Sequence, residues 1–141
     1  MTNNIDNFLG TEEPCASFHD ARLVSAQINY EQRELVSDWE LCVGNPNAPE
    51  LAASERTRRG RLRLIGLAFW VMECLEPQGH ILDGYMPWLA RDGPLIEAGT
   101  DLSRELSARV PEGSSAWYLY FSGCNAFVYC ADELGVFTWS E

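Results

Sequence analysis

The feature that most constrains the fold is the run at residues 61–72, which reads RLRLIGLAFWVM. Arginines alternate with leucines in its first half, and from Leu64 onward every position is apolar or glycine. Alternation is typical of a half-exposed strand, whereas a continuous apolar run is typical of a strand covered on both faces or of a buried helix. Aromatic and β-branched side chains favour the strand. We therefore predict one central strand that continues to about Leu75, with Gly66 at a bulge or a close backbone approach.

Two further strands are predicted before this run. Residues 21–30 and residues 35–43 each alternate between apolar and polar positions, as half-buried strands do. On the second of these strands, Asp38 and Glu40 lie on the face opposite Trp39. Because a short charged turn separates the first two strands and a polar loop precedes the third, we predict an antiparallel meander of three strands.

The middle of the chain is less regular. Prolines and glycines interrupt residues 77–94 repeatedly, which indicates an irregular crossover with aromatic side chains of its own. In residues 95–110, leucines four positions apart favour a short helix capped at Thr100 or Asp101, although the same residues also share one face of a strand. We predict the helix and leave the strand as the alternative.

The C-terminal part is predicted to form a hairpin. Residues 117–131 hold two alternating, aromatic-rich segments around a Gly/Asn turn, and residues 136–139 suggest a last short strand. The predicted fold is a single α+β domain over residues 1–141, mainly antiparallel β. One twisted or curled sheet holds the meander, the irregular crossover and the hairpin, with one or two short helices and a flexible segment at 1–17. The predicted core consists of Trp39, Leu41, Leu62, Leu64, Phe69, Trp70, Leu119, Phe121 and Val128.

Charge and cysteine content narrow the class of partner and the compartment. The 141 residues carry a net charge of −11, which repels nucleic acid and anionic lipid. We expect neither to bind. Five cysteines without CxxC spacing, together with an N-terminus that lacks a secretory signal, indicate free thiols and a cytoplasmic, bacterium-like setting. We expect Cys42, Cys74 and Cys130 to be small core residues.

An arginine cluster is the first candidate site. All ten basic residues are arginine, and five of them lie within residues 56–63. We expect Asp38 and Glu40 to pair with the two arginines of the alternating run. The remaining three, on the polar loop at 44–60, are the candidates for binding an anion or a partner. They are Arg56, Arg58 and Arg59.

The two histidines, His19 and His80, are the second group of candidate residues. His19 stands beside Asp20, and His80 lies three residues before Asp83. A metal site would require these two pairs to converge. No GxGxxG, GxxxxGK[ST], GxSxG or HExxH motif is present, which argues against the common nucleotide-binding and serine hydrolase mechanisms but does not exclude an enzyme with scattered residues. We expect no metal and no cofactor, and a binding domain rather than an enzyme.

Aromatic residues in the crossover form a candidate contact patch. Tyr85 and Trp88 stand close together in sequence, with Arg91 at the rim of the patch, and such patches mark interfaces or ligand grooves. The expected function is that of a small acidic domain that binds a protein partner, for which its charge favours a basic one, as immunity proteins and antitoxins do by charge complementarity. The alternatives are a ligand-binding or enzymatic pocket between the sheet and the loop at 77–95, or a homodimer built on the aromatic strand face.

Overall fold

A computed structural model of the chain describes residues 5–73, 88–122, 125–132 and 135–140. The fold is α+β and β-rich, as predicted, with antiparallel strands and little helix. The strands are β1 (Ser17–Asn29), β2 (Glu34–Cys42), β3 (Thr57–Ile65), β4 (Phe69–Met72), β5 (Leu89–Pro94), β6 (Ser114–Phe121), β7 (Ala126–Asp132) and β8 (Val136–Trp139). The helices are α1 (Leu51–Ser54) and α2 (Asp101–Ser107), and single 3₁₀ turns lie at Ile5–Phe8 and Leu95–Ala98.

Strands β1, β2, β3 and β8 form the first sheet, in that order. The predicted meander is confirmed, because β1 pairs with β2 and β2 with β3, both antiparallel. The alternation predicted for β2 is also confirmed, since Leu35, Ser37, Trp39 and Leu41 are buried while Val36, Asp38 and Glu40 are partly exposed. The final strand, β8, returns to the outer side of β3.

The central run is not one strand, and this part of the prediction is wrong. Strand β3 ends at Ile65, and β4 begins at Phe69 in the other sheet. Between them Gly66 has φ +70°, a left-handed conformation that costs glycine little. The next two backbone N–H groups then change partner: Leu67 donates to the Arg33 carbonyl and Ala68 to the Cys130 carbonyl, each at 2.8 Å. The run is continuously apolar because it serves two sheets.

Strands β4, β7, β6 and β5 form the second sheet, in that order. The predicted hairpin is confirmed as β6 and β7, which pair antiparallel. Strand β5 lies inside the segment predicted to be irregular, and it pairs with β6 despite Gly93 and Pro94. Pro94 is the last residue of an edge strand, where its missing N–H interrupts no further pairing.

The domain therefore has two four-stranded sheets where a single curled one was predicted. The two sheets nevertheless approach one another at one edge, through an isolated bridge between Arg22 of β1 and Trp88, just before β5. Strand β1 bends there, and its pairing with β2 shifts register between Ser17 and Arg22. Bulges of this kind bend strands.

The inner faces of the two sheets enclose the main core. Trp39 of β2 stacks on Phe121 of β6 with ring centroids 6.1 Å apart, and Phe18 packs edge-on against Trp39 at 5.0 Å. Most of the predicted core residues are buried there. Phe69 and Trp70 are only half-buried, because β4 is a short edge strand.

A second, smaller apolar cluster lies on the outer face of the second sheet, under α2 and the 3₁₀ turn. The predicted helix within residues 95–110 is confirmed. Thr100 caps α2 by accepting the Ser103 N–H at 3.0 Å, and the Ser103 hydroxyl accepts the Thr100 N–H in return. Leu106 is buried in this cluster, whereas Leu102 remains 47% exposed. None of the helices in the described ranges has the length and apolar character needed to cross a membrane.

The described cysteines are free thiols. Cys130 is buried in β7, as predicted, but the prediction for Cys42 is wrong, because Cys42 is exposed at the end of β2. Cys74 lies outside the described residues.

Candidate ligand-binding cleft

The outer face of the second sheet carries a cleft beside α2. Directly opposed residues of neighbouring strands project to the same side of a sheet, so side chains form rows across the strands. One row includes Val128 and Tyr118. Both residues belong to the apolar cluster under α2. The next row runs from Ala126 through Tyr120 to Arg91. Tyr120 is 42% exposed, so this second row forms the solvent-accessible part of the cleft floor.

The helix side and the sheet side enclose a cavity of about 440 Å³. Small-molecule sites usually occupy roughly 300–1,000 Å³ and combine apolar walls with a few polar groups. The apolar lining residues are Val71, Leu95, Ala98, Leu102, Ala126 and Val128. The polar ones are Glu73, Arg91, Thr100, Ser103, Tyr118 and Tyr120.

Small residues create this space. Ala126 forms part of the floor and Ala98 part of the wall. Gly93, on β5, leaves room for the ring of Tyr118, since a Cβ at Gly93 would lie 3.3 Å from that ring. A larger side chain at Ala126 would fill the cavity from the sheet side.

Arg91 and Tyr118 form a hydrogen-bonded pair in the cleft. The Arg91 Nε–H donates to the Tyr118 hydroxyl at 2.8 Å, and the guanidinium carbon lies 5.5 Å from the centroid of the same ring. The hydrogen bond raises the already high pKa of Arg91. Tyr118 is only 7% exposed, so a buried ring fixes the position of an otherwise exposed cation.

Arg91 differs from most other arginines of the chain. Eight of the ten arginines form ion pairs with a carboxylate, and within the described ranges Arg91 and Arg33 form none. The paired arginines are Arg22, Arg56, Arg58, Arg59, Arg61, Arg63, Arg104 and Arg109. Arg91 is therefore a cation at an apolar cavity without a described carboxylate to neutralise it.

Glu73 marks the opposite end of the cleft. Its carboxylate Oε1 accepts the Ala126 N–H at 2.9 Å, and its own N–H donates to the Ala126 carbonyl at 3.0 Å. Glu73 thus extends the row of Ala126, Tyr120 and Arg91 to the β4 edge. Three inter-strand spacings separate Glu73 from Arg91, about 14 Å. The cleft has a carboxylate at one end and a guanidinium at the other.

The arginines predicted as candidate binding residues lie on or beside β3 of the first sheet, whereas the cleft lies on the second sheet. Arg56 precedes β3, whereas Arg58 and Arg59 belong to β3 itself and not to the predicted loop. Arg56 and Arg58 both bind the carboxylate of Glu13, at 2.8 Å and 3.0 Å. These two hydrogen bonds lower the pKa of Glu13 and tie the N-terminal segment to β3.

The cross-strand pairing predicted on the outer face of the first sheet is present. Arg61 binds Asp38 at 2.8 Å, as predicted. Arg63 instead binds Glu34 at 2.7 Å, because these two residues lie near one another at the far end of the β2–β3 pair. Arg59 lies 3.9 Å from Glu40. The arginine cluster is thus largely neutralised within the domain.

The histidine and aromatic candidates lie partly outside the described residues, which exclude His80 and Tyr85. His19 projects from β1, with its Nε2 3.7 Å from the Asp20 carboxylate, and both side chains are exposed. Trp88 exchanges two hydrogen bonds with Ser122, through its N–H and its carbonyl. Within the described ranges no three His, Cys, Asp or Glu side chains cluster as metal ligands would.

Sequence reasoning missed most of the cleft. Arg91 was predicted only at the rim of an aromatic patch, and the hairpin residues were predicted to belong to the core. The available signal was the alternation of β6, which places Tyr118 and Tyr120 on the face opposite Trp117 and Leu119. Two tyrosines on an outward face, with the small Ala126 opposite Tyr120, indicate a surface that is neither packed nor fully solvated.

Fold and cleft together define a small β-rich, two-sheet α+β domain with a helix-covered pocket on one outer face. The chain matches no family model, no curated protein and no solved structure with which it was compared.

Proposed function

We propose that this chain is a non-catalytic domain that binds a small, mainly apolar ligand in the cleft between α2 and the second sheet. The observation that carries the proposal is the cavity of about 440 Å³ with apolar walls and few polar groups, the usual composition of a ligand pocket. The pocket proposed from the sequence lies between the sheet and the loop at 77–95, and two residues of that segment, Arg91 and Leu95, line this cleft.

The polar groups of the cleft favour binding over catalysis. The hydroxyl of Thr100 accepts the Ser103 N–H, and the Ser103 hydroxyl donates to the Thr100 carbonyl. The helix cap thus engages both hydroxyls. Among the described lining residues there is no cysteine or histidine, and the one carboxylate, that of Glu73, already accepts the Ala126 N–H. A nucleophile needs an adjacent base to activate it, and the lining offers no such engaged pair.

A cavity-filling variant tests the proposal. We expect the neutral fluorescent probe N-phenyl-1-naphthylamine to bind the wild-type domain with an increase in emission, because the probe enters an apolar site. Ala126→Leu fills the floor and should weaken binding at least tenfold. Ala108→Leu is the matched control, since Ala108 is exposed at the end of α2. Circular dichroism and thermal melts confirm that both variants are folded. Equal probe binding by both variants contradicts the proposal.

A protein partner remains a second candidate, and one observation favours it. The ion pairs neutralise most arginines locally, so the net charge of −11 resides on the remaining acidic side chains. Such a surface suits a basic partner, with Arg56, Arg58 and Arg59 at its border. A low-salt pull-down that recovers no protein would count against it, and light scattering tests the homodimer. We further propose a cytoplasmic location, where the thiols of Cys15, Cys42 and Cys130 stay reduced.

A further inference from the structure

We infer that the ligand of the cleft is an elongated apolar molecule with one carboxylate, seated with the carboxylate on Arg91 and the apolar body pointing toward Glu73. This inference rests on the proposed function and names the chemical class of the ligand. It follows from the charges at the two ends of the cleft and from the distance between them.

The carboxylate end is assigned by Arg91. An arginine presents its N–H groups as a planar fork that matches a carboxylate with two parallel hydrogen bonds. Tyr118 already accepts the Nε–H of Arg91 at 2.8 Å, which holds the guanidinium against the buried ring. No described carboxylate forms an ion pair with Arg91. The Glu97 carboxylate lies at the same end, 3.5 Å from where a Cβ of Gly93 would be, without engaging the guanidinium, which leaves the guanidinium open to an anion from the ligand.

The opposite orientation is disfavoured by Glu73. Its carboxylate is held at the β4 edge by the Ala126 N–H at 2.9 Å, and it repels a second anion there. Between the two charges the floor consists of Ala126, Val128 and Tyr120. The backbones of Glu73 and Arg91 lie three strand spacings apart, about 14 Å, and both charged groups turn inward, the carboxylate onto the Ala126 N–H and the guanidinium onto the Tyr118 ring. The floor between them therefore accommodates an alkyl or aryl-alkyl chain shorter than that backbone separation.

Ligands of equal chain length with different ends test the assignment. Isothermal titration with decanoate, methyl decanoate and decan-1-ol, below their aggregation concentrations, separates the charge from the apolar body. We expect decanoate to bind at least tenfold more tightly than the two neutral compounds, because a hydrogen bond to a charged group contributes about a tenfold to hundredfold difference in affinity. In Arg91→Gln this preference should disappear while decanol binding persists.

Three further variants locate the effect. Arg33→Gln removes the other described arginine without an ion pair, and it should keep the preference for decanoate. Tyr118→Phe removes the acceptor that positions Arg91, and it should reduce the preference for decanoate over decanol several-fold. Glu73→Gln retains an oxygen for the Ala126 N–H. Decanedioate should bind wild-type protein more weakly than decanoate, and Glu73→Gln should abolish that difference.

The possible failures can be told apart. If none of the three ligands and no neutral probe binds, the proposed function is wrong. If decanoate and decanol bind wild-type protein equally, or if Arg91→Gln keeps the preference, the carboxylate assignment is overturned while the apolar pocket stands. If decanedioate binds as tightly as decanoate, the assigned orientation is overturned.

Discussion

The crossing between the two sheets at Gly66 gives the most direct test of the fold. Gly66 has φ +70°, and a Cβ at this position would overlap the carboxylate of Asp132. Gly66→Ala therefore imposes two separate costs, one on the backbone and one on the packing. Two other glycines isolate them. Gly99 has φ +73° with no atom within 4 Å of a Cβ, and Gly10 is equally open without a positive φ.

The magnitudes follow from these surroundings. A left-handed alanine costs about 1–2 kcal/mol, and the reduced freedom of the unfolded chain offsets about 0.4–1 kcal/mol of that. We therefore expect Gly99→Ala to lower the free energy of unfolding by about 1 kcal/mol. Gly66→Ala adds the displacement of the Asp132 carboxylate, which is the end of a half-buried side chain, so this cost lies at the lower end of overpacking, about 1 kcal/mol. We expect a total of about 2 kcal/mol at Gly66, and no loss for Gly10→Ala.

Urea unfolding followed by tryptophan fluorescence measures these differences. In an Asp132→Ala background the cost of Gly66→Ala should fall to about that of Gly99→Ala, about 1 kcal/mol, because only the backbone cost remains. If Gly66→Ala is no more destabilising than Gly10→Ala, the chain does not turn at Gly66. A cost that is unchanged by Asp132→Ala would refute the overlap as its cause.

Three further predictions concern the core, the N-terminal segment and the thiols. Ser37→Ala should lower the free energy of unfolding in urea by about 1–3 kcal/mol, because the buried indole N–H of Trp39 loses its acceptor at 2.8 Å; no change would contradict this bond. Glu13→Gln should destabilise the domain at pH 7, and the gap to wild type should narrow as the pH falls through the ordinary glutamate pKa toward the lower pKa of folded Glu13. A gap that widens in acid would exclude the paired carboxylate as the source. Iodoacetamide should label Cys15 well before Cys130 in peptide maps. Burial, and to a smaller extent the negative charge of Asp132, raises the pKa of the Cys130 thiol. Equal labelling rates of the two thiols would show that β7 is accessible.

Local patterns were enough to predict most of the secondary structure. The alternation of arginines with leucines in β3, and of Asp38 and Glu40 with Trp39 in β2, reports directly which face is buried, because side chains in a strand point alternately to opposite sides. The helix at α2 was predictable because its spacing and its cap at Thr100 are local properties.

The division into two sheets was not predictable from residues 61–72. The apolar pattern of this run is consistent with one strand that is covered on both faces. It is equally consistent with two strands that contribute to the core from opposite sides. Only the partners of the backbone decide between these, and those partners, Arg33 and Cys130, lie tens of residues away. Gly66 indicates a special backbone conformation, but a glycine alone does not distinguish a bulge within one strand from a crossing between two sheets.

Local patterns in the residues are sufficient for the β-rich class, the inward faces of the meander and the hairpin, and the negative net charge, because period, turn chemistry and charge are encoded residue by residue. The tertiary structure alone decided where a pocket lies. Arg91, Glu73 and Tyr118 are separated along the chain and become one site only because β4, β7, β6 and β5 lie in that order, with α2 covering part of their outer face. Likewise, whether an arginine is neutralised or left at an apolar cavity depends on which carboxylates the packed sheets bring within hydrogen-bonding distance.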